Sequence, residues 1–187
     1  MGVELNGNIE GSGEQTSANF SSERRLRVDS LSNVEGHHVS DTQGLAFNWV
    51  SVDSAAAAND YIIYLQNTST TRNLYIDIVR VSSANAALWK VWEVTGTAAG
   101  SSELTGKNLN LSVGILAEAT SRGDGAISGL TTSGSIIASA RTVAASSTDI
   151  PFDDILILGA EDAIAVEYDT GTGGAAEVLI RGYYLDR

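Results

Sequence analysis

The feature that most constrains this chain is a series of short runs rich in β-branched and aromatic residues, each closed off by Gly, Asn, Ser or Asp. From Leu45 onward they occupy 45–52 (LAFNWVSV), 60–66, 73–82, 86–95 (AALWKVWEVT), 108–116 (NLNLSVGIL), 135–143 (SIIASARTV), 154–159, 162–169 and 175–185 (AAEVLIRGYYL). The segments NTST, TGTAAGSS, SRGDG, TTSG and DTGTGG read as the turns between them. Runs of this length and spacing predict an all-β fold, a sandwich or a barrel of about eight or nine antiparallel strands. The single proline, Pro151, stands just ahead of one run, where its missing N–H costs least. The four alanines at 55–58 allow a helical turn, but no long amphipathic helix is expected.

Several of these runs are apolar on both faces. Successive residues of a strand point to opposite sides, so a half-buried strand needs apolar side chains on one side only. In DYIIYLQNTSTTRNLYIDIVRV, read as a hairpin around a polar turn, Ile62 and Tyr64 share one face while Tyr61, Ile63 and Leu65 share the other. LWKVWEV sets Leu88, Trp92 and Val94 against Trp89 and Val91, and VLIRGYY sets Val178, Ile180 and Tyr184 against Leu179 and Tyr183. The second faces could lie under long loops of the same chain. The reading preferred from sequence is that they meet further copies about a symmetry axis, which makes Tyr61, Ile63, Leu65, Trp89, Val91, Leu179 and Tyr183 candidates for an oligomer interface.

At 187 residues the chain is long enough for one large β-domain with an appendage, and it contains no cysteine, so neither a disulfide scaffold nor a thiolate metal site is available. Its net charge of −12, with Lys90 and Lys107 the only lysines, opposes binding to a phosphate backbone, and nucleic acid is not expected as a partner. No apolar run approaches the roughly 18 residues of a membrane span, and the opening MGVELNGNIEGSGEQ has neither a basic start nor an apolar segment of the signal-peptide kind. No membrane partner is expected.

Residues 1–44 differ in texture: polar, rich in Gly, Ser and Asn, with isolated hydrophobes. Such a segment cannot bury enough apolar area to offset its own ordering entropy. Either it is a passive leader, or it is an extended arm that orders on a partner through single anchors. In the second case Phe20, Leu26 and Val28, with the basic cluster Arg24, Arg25 and Arg27, are the contact candidates, the arginines pairing with carboxylates.

Residues that could carry chemistry are few. The two histidines, His37 and His38, are neighbours in the leader and point apart in an extended chain, so no metal is expected. Asp153/Asp154 and Glu161/Asp162 are acid pairs of the type that glycoside hydrolysis needs, but they stand at strand ends beside Gly or Pro, where Asp ordinarily supports turns. Arg122-Gly123-Asp124 spells an adhesion tripeptide and reads as an ordinary turn. No catalytic residue and no cofactor are expected.

The runs DYIIYLQNTSTTRNLYIDIVRVS, LWKVWEVTGTAAGSSELTGKNLNLSVG and DIPFDDILILGAEDAIAVEYDTGTGGAAEVLIRGYY resemble the jelly-roll virion proteins of tailed bacteriophages, of the capsid cement or head-decoration type. The resemblance covers 45–187 as a pattern of strands and turns, not as an exact motif. It implies a jelly-roll domain at 45–187 behind an arm at 1–44, and a homotrimer made in the host cytoplasm that sits on the outer capsid surface. It also implies that the arm bridges subunits of the major capsid protein. The alternative is a jelly-roll module of a phage tail or fibre that binds a receptor glycan, since fold alone does not decide between them.

Overall fold

The computed structural model describes residues 6–8, 15–17 and 39–187. The chain divides into two units, Met1–Val34 and Glu35–Arg187. In the first, β1 (Asn6–Asn8) pairs antiparallel with β2 (Gln15–Ser17). The arm candidates Phe20, Arg24, Arg25, Leu26, Arg27 and Val28 lie outside the described residues, as do His37 and His38.

The second unit opens with one π-helical turn, Val39–Gln43, and continues as β3 (Ala46–Ala56), β4 (Asp60–Asn67), β5 (Arg72–Ser83), β6 (Ala87–Glu103), β7 (Lys107–Asn108), β8 (Ala119–Thr142), β9 (Ser146–Leu158), β10 (Ala163–Gly171) and β11 (Gly174–Asp186). All pairings are antiparallel. One sheet runs β7-β3-β11-β5-β9, and β10, β4, β8 and β6 pair in a closed ring. The ring closes because β8 is long: its residues 119–123 pair with β4, and the strand from there to Thr142 follows β6. This is the all-β sandwich that the spacing of the runs predicts.

Its core lies between the sheets. Ile62, Ile63, Leu65, Trp89, Val91, Ile164, Val166 and Tyr168 from one sheet meet Phe47, Trp49, Leu74, Ile76, Val79, Val81, Val178, Ile180 and Tyr184 from the other. Val39 also belongs to this cluster, so the π-helical turn packs with the sandwich, although the sequence assigned 39–44 to the arm.

Asp60–Val81 is not a hairpin. β4 bonds to β10 and β8, β5 bonds to β11 and β9, and the turn between them crosses from sheet to sheet. Buried Asn67 builds that crossing: its Nδ2 donates to the carbonyls of Leu158 (2.9 Å) and Arg72 (3.0 Å), while its Oδ1 accepts from Ser69 N (3.0 Å). β10 and β11 likewise belong to different sheets.

The second apolar face is covered by the chain itself. Tyr64, Ala163, Ala165 and Val94 form a separate buried cluster with Ala98 of β6 and Ile127 of β8, flanked by Tyr61, Trp92 and Leu130. The β6–β8 ribbon thus supplies the side chains that close this face, and it reaches there through repeated register shifts along the β6–β8 ladder. Gly96, Gly100, Gly129 and Gly134 hold positive φ in this ribbon. Glycine is the residue that tolerates such bulge geometry.

Candidate functional site

The residues expected at an oligomer interface are mostly interior. Ile63, Leu65, Trp89 and Val91 are fully buried between the sheets. Trp89 meets Tyr168 edge-on at 5.1 Å, and its Nε1 donates to Thr142 Oγ1 at 3.1 Å. Tyr183 is buried and stacks on Tyr75 at 5.5 Å. Tyr61 packs half-buried against the ribbon-covered cluster, and Leu179 is half-buried on β11 opposite Val50. The sandwich closes the inner face of β4, β6 and β10, where Ile63, Leu65, Trp89 and Val91 lie, and the ribbon covers the outer face at Tyr64, Val94, Ala163 and Ala165, so these four have no face left for a neighbour. Val50 and Val52, on β3 beside β11, stay exposed. In β4 the alternation itself is shifted: Val166 pairs with Ile63 and Glu167 with Tyr61, leaving Ile62 as an extra residue. That bulge brings Ile62 and Ile63 both to the core and puts Tyr61 with Tyr64 on the outer side.

Five of the cations among the described residues are engaged by carboxylates. Lys90 pairs with Asp169 and lies 5.7 Å from the Trp92 ring centroid, while Trp92 Nε1 donates to buried Glu167 at 2.7 Å. Burial, reinforced by the Glu167 charge, raises the Tyr61 phenol above its ordinary pKa. Arg80 holds Asp149 with two bonds, 2.5 and 2.9 Å, which keeps that carboxyl below its usual range. Arg72 bridges Glu118 and Asp186, and Arg181 binds Asp77 at 2.6 Å.

The motifs with a possible chemical reading serve the backbone. Arg122 pairs with Glu103 and donates to Ser101 O (3.1 Å), whereas Asp124 accepts from Val52 N at 2.8 Å. The tripeptide 122–124 therefore stitches β8 to β6 and β3. Asp162 accepts from Gly159 N at 2.8 Å, and Glu161 holds a positive φ of 66° in the same turn. Asp153 holds a φ of 47° in β9 where the register shifts between Pro151 and Leu156; the side chain of Asp154 lies outside the described ones. Among the described residues no group of three or more His, Asp or Glu side chains is placed to hold a metal ion.

Exposed hydrophobes are most concentrated in the loop after β7, although Val143 and Ile155 are also largely exposed. Asn108–Ala117 contains no charged residue, and it exposes Leu111 (92%), Leu116 (73%), Leu109 and Ile115. The sequence predicts a strand here, from the alternation NLNLSVGIL. In the structure the asparagines bind backbone instead of facing a neighbouring strand. Asn108 Nδ2 donates to Gly44 O (2.7 Å) and Ile115 O (3.1 Å), and Asn110 Nδ2 donates to Ser40 O (3.0 Å). Asn108 Oδ1 accepts from Asn110 N (2.9 Å), and Asn110 Oδ1 accepts from Ser112 N and Oγ. Gly44, at φ +64°, lies so close to Val113 that a Cβ there would meet it at 2.8 Å. The loop is thus fixed to the sandwich by its polar residues while its leucines point away. A sequence signal did exist: ten uncharged residues in a chain of net charge −12, opening with Asn108 and Asn110, which suit side chain-to-backbone turns as well as a strand.

Comparison with known proteins found no matching family model, no matching curated protein and no matching solved structure.

Proposed function

We propose that this protein is a non-enzymatic structural component of a virion, a capsid cement or decoration protein that binds the outer shell and bridges neighbouring subunits of the major capsid protein. The observation that carries the reading is the contrast within the sandwich. Arg72, Arg80, Lys90, Arg122 and Arg181 are held in ion pairs within the domain, while an uncharged apolar loop is tied to the sandwich with its leucines outward. A surface fixed in advance loses little conformational freedom when a partner covers it, and that suits assembly.

The strand order adds support. β3-β11-β5-β9 facing β4-β10-β6-β8 is the order of two interleaved Greek keys, and we read the domain as a jelly roll. The segment 1–38 is the bridging arm in this reading, with Arg24, Arg25 and Arg27 directed at carboxylates of the shell. Saturable binding of the full chain to empty capsids of its own source is the expected result. Absence of binding at micromolar concentrations, together with retained binding to a host-surface glycan, would replace this reading with a receptor-binding one.

A further inference from the structure

We propose that the Asn108–Ala117 loop is a self-association surface, packing against the same loop of a second copy. This two-fold contact is separate from the homotrimer that the virion reading implies, and it rests on that reading only for its biological purpose.

Four aliphatic side chains, Leu109, Leu111, Ile115 and Leu116, are exposed within ten residues. They are not a floppy tip that could fold back. Asn108 and Asn110 tie the loop to Gly44 and Ser40, and Asn108 also closes it on its own Ile115 carbonyl. The amide of Leu109 donates to Ala46 O (2.9 Å), and that of Val113 to Asn110 O (3.1 Å). Burying these side chains requires a surface from outside the described residues.

Charge selects which surface. An anionic lipid headgroup or a nucleic acid is repelled by a chain of net charge −12. A second copy carries the same −12 and is repelled too, except where charge is missing, and Asn108–Ala117 is such a place. Its flanks are of opposite sign. Lys107 is exposed with no ion-pair partner among the described residues, and Glu118, bound to Arg72, remains 44% exposed. A two-fold contact sets the beginning of one loop against the end of the other, so Lys107 of each copy approaches Glu118 of its mate. The four side chains do not supply the roughly 800 Å² per partner of a standard stable interface, so the association is concentration-dependent and not obligate.

Sedimentation equilibrium of the full chain tests this, with the double variant Leu111→Asp/Leu116→Asp and, as a control, Ile155→Asp, which changes an equally exposed side chain on β9 (82%). The expected result is a mass that rises with concentration for the wild-type chain and for Ile155→Asp. The double variant should dissociate at least tenfold more readily, with an unchanged thermal midpoint. Because the chain has no cysteine, Leu111→Cys provides a single thiol, and an oxidised dimer should form through it. A wild-type chain that stays monomeric throughout, or a double variant that associates as the wild type does, overturns the proposal. Capsid binding measured on the same samples separates the two readings. A monomer that binds capsids fully defeats the self-contact and leaves the virion reading standing, and a double variant that loses only capsid binding assigns the loop to the shell instead.

Discussion

Ile127→Ala probes the covered outer face at the point where the β6–β8 ribbon seals it. Ile127 is 6% exposed and packs in the cluster of Tyr64, Val94, Ala98, Ala163 and Ala165. The substitution removes three buried carbons, about 2.4 kcal/mol at roughly 0.8 kcal/mol each, and leaves a cavity whose cost depends on how far the site collapses. A ribbon at the edge of the molecule can settle inward, so the expected loss is about 2–3 kcal/mol, the low end of the usual range for such truncations. For a domain of this size that lowers the thermal midpoint by roughly 5–10 °C. Urea unfolding of wild type and variant, at equal slope, gives the difference directly. If the outer face were closed by a neighbouring copy, the loss would depend on protein concentration. A loss under about 0.5 kcal/mol, the ordinary result for an open surface position, would refute the sealing role.

Ile63→Asp should prevent folding and not disperse an oligomer, because it buries an unpaired carboxylate in the sandwich core, and circular dichroism separates the two outcomes. The Tyr184 hydroxyl is buried with no hydrogen-bond partner among the described residues, so Tyr184→Phe should stabilise the fold by about 1 kcal/mol in denaturant unfolding; a loss would mean that the hydroxyl is bound. Burial also raises the Tyr184 pKa, with the Glu118 charge adding to it. The folded state therefore keeps this proton while the unfolded chain releases it near pH 10; the contribution is whole below that pH and is lost as pH rises, and Tyr184→Phe should flatten the alkaline decline. On the virion reading, deleting residues 1–34 should weaken capsid attachment, and deleting 1–40 should lower the melting temperature, since it removes Val39 from the core.

The sandwich was legible because its strands carry the composition of strands: YIIYL, LYIDIV and AIAVEY are too rich in β-branched and aromatic residues to be much else. The ribbon was not. TGTAAGSS, SRGDG and TTSG have the chemistry of turns, yet they lie inside β6 and β8, where Gly96, Gly100, Gly125 and Gly134 hold positive φ. Only 135–143 of the 24-residue β8 reads as a strand, so a cover from the same chain could be foreseen only as long loops, the less favoured of the two alternatives. That missing cover is why Ile63, Leu65, Trp89 and Val91 were assigned to a neighbour. Pro151 likewise lies inside a strand, tolerated because β9 is the edge of its sheet. The loop escaped recognition for the converse reason: its alternation is that of a strand, and only the partners of Asn108 and Asn110 show that it is not one.

Hydroxyl-radical footprinting of the free chain at submicromolar concentration tests the central claim most directly, because it reads side-chain exposure where copies are apart. Tyr64 should be protected although its neighbours are dilute, since the ribbon of its own chain covers it, while Leu111 and Leu116 should label as free side chains. Rapid labelling of Tyr64 on dilution, with Leu111 and Leu116 protected, would contradict both the covered face and the outward loop.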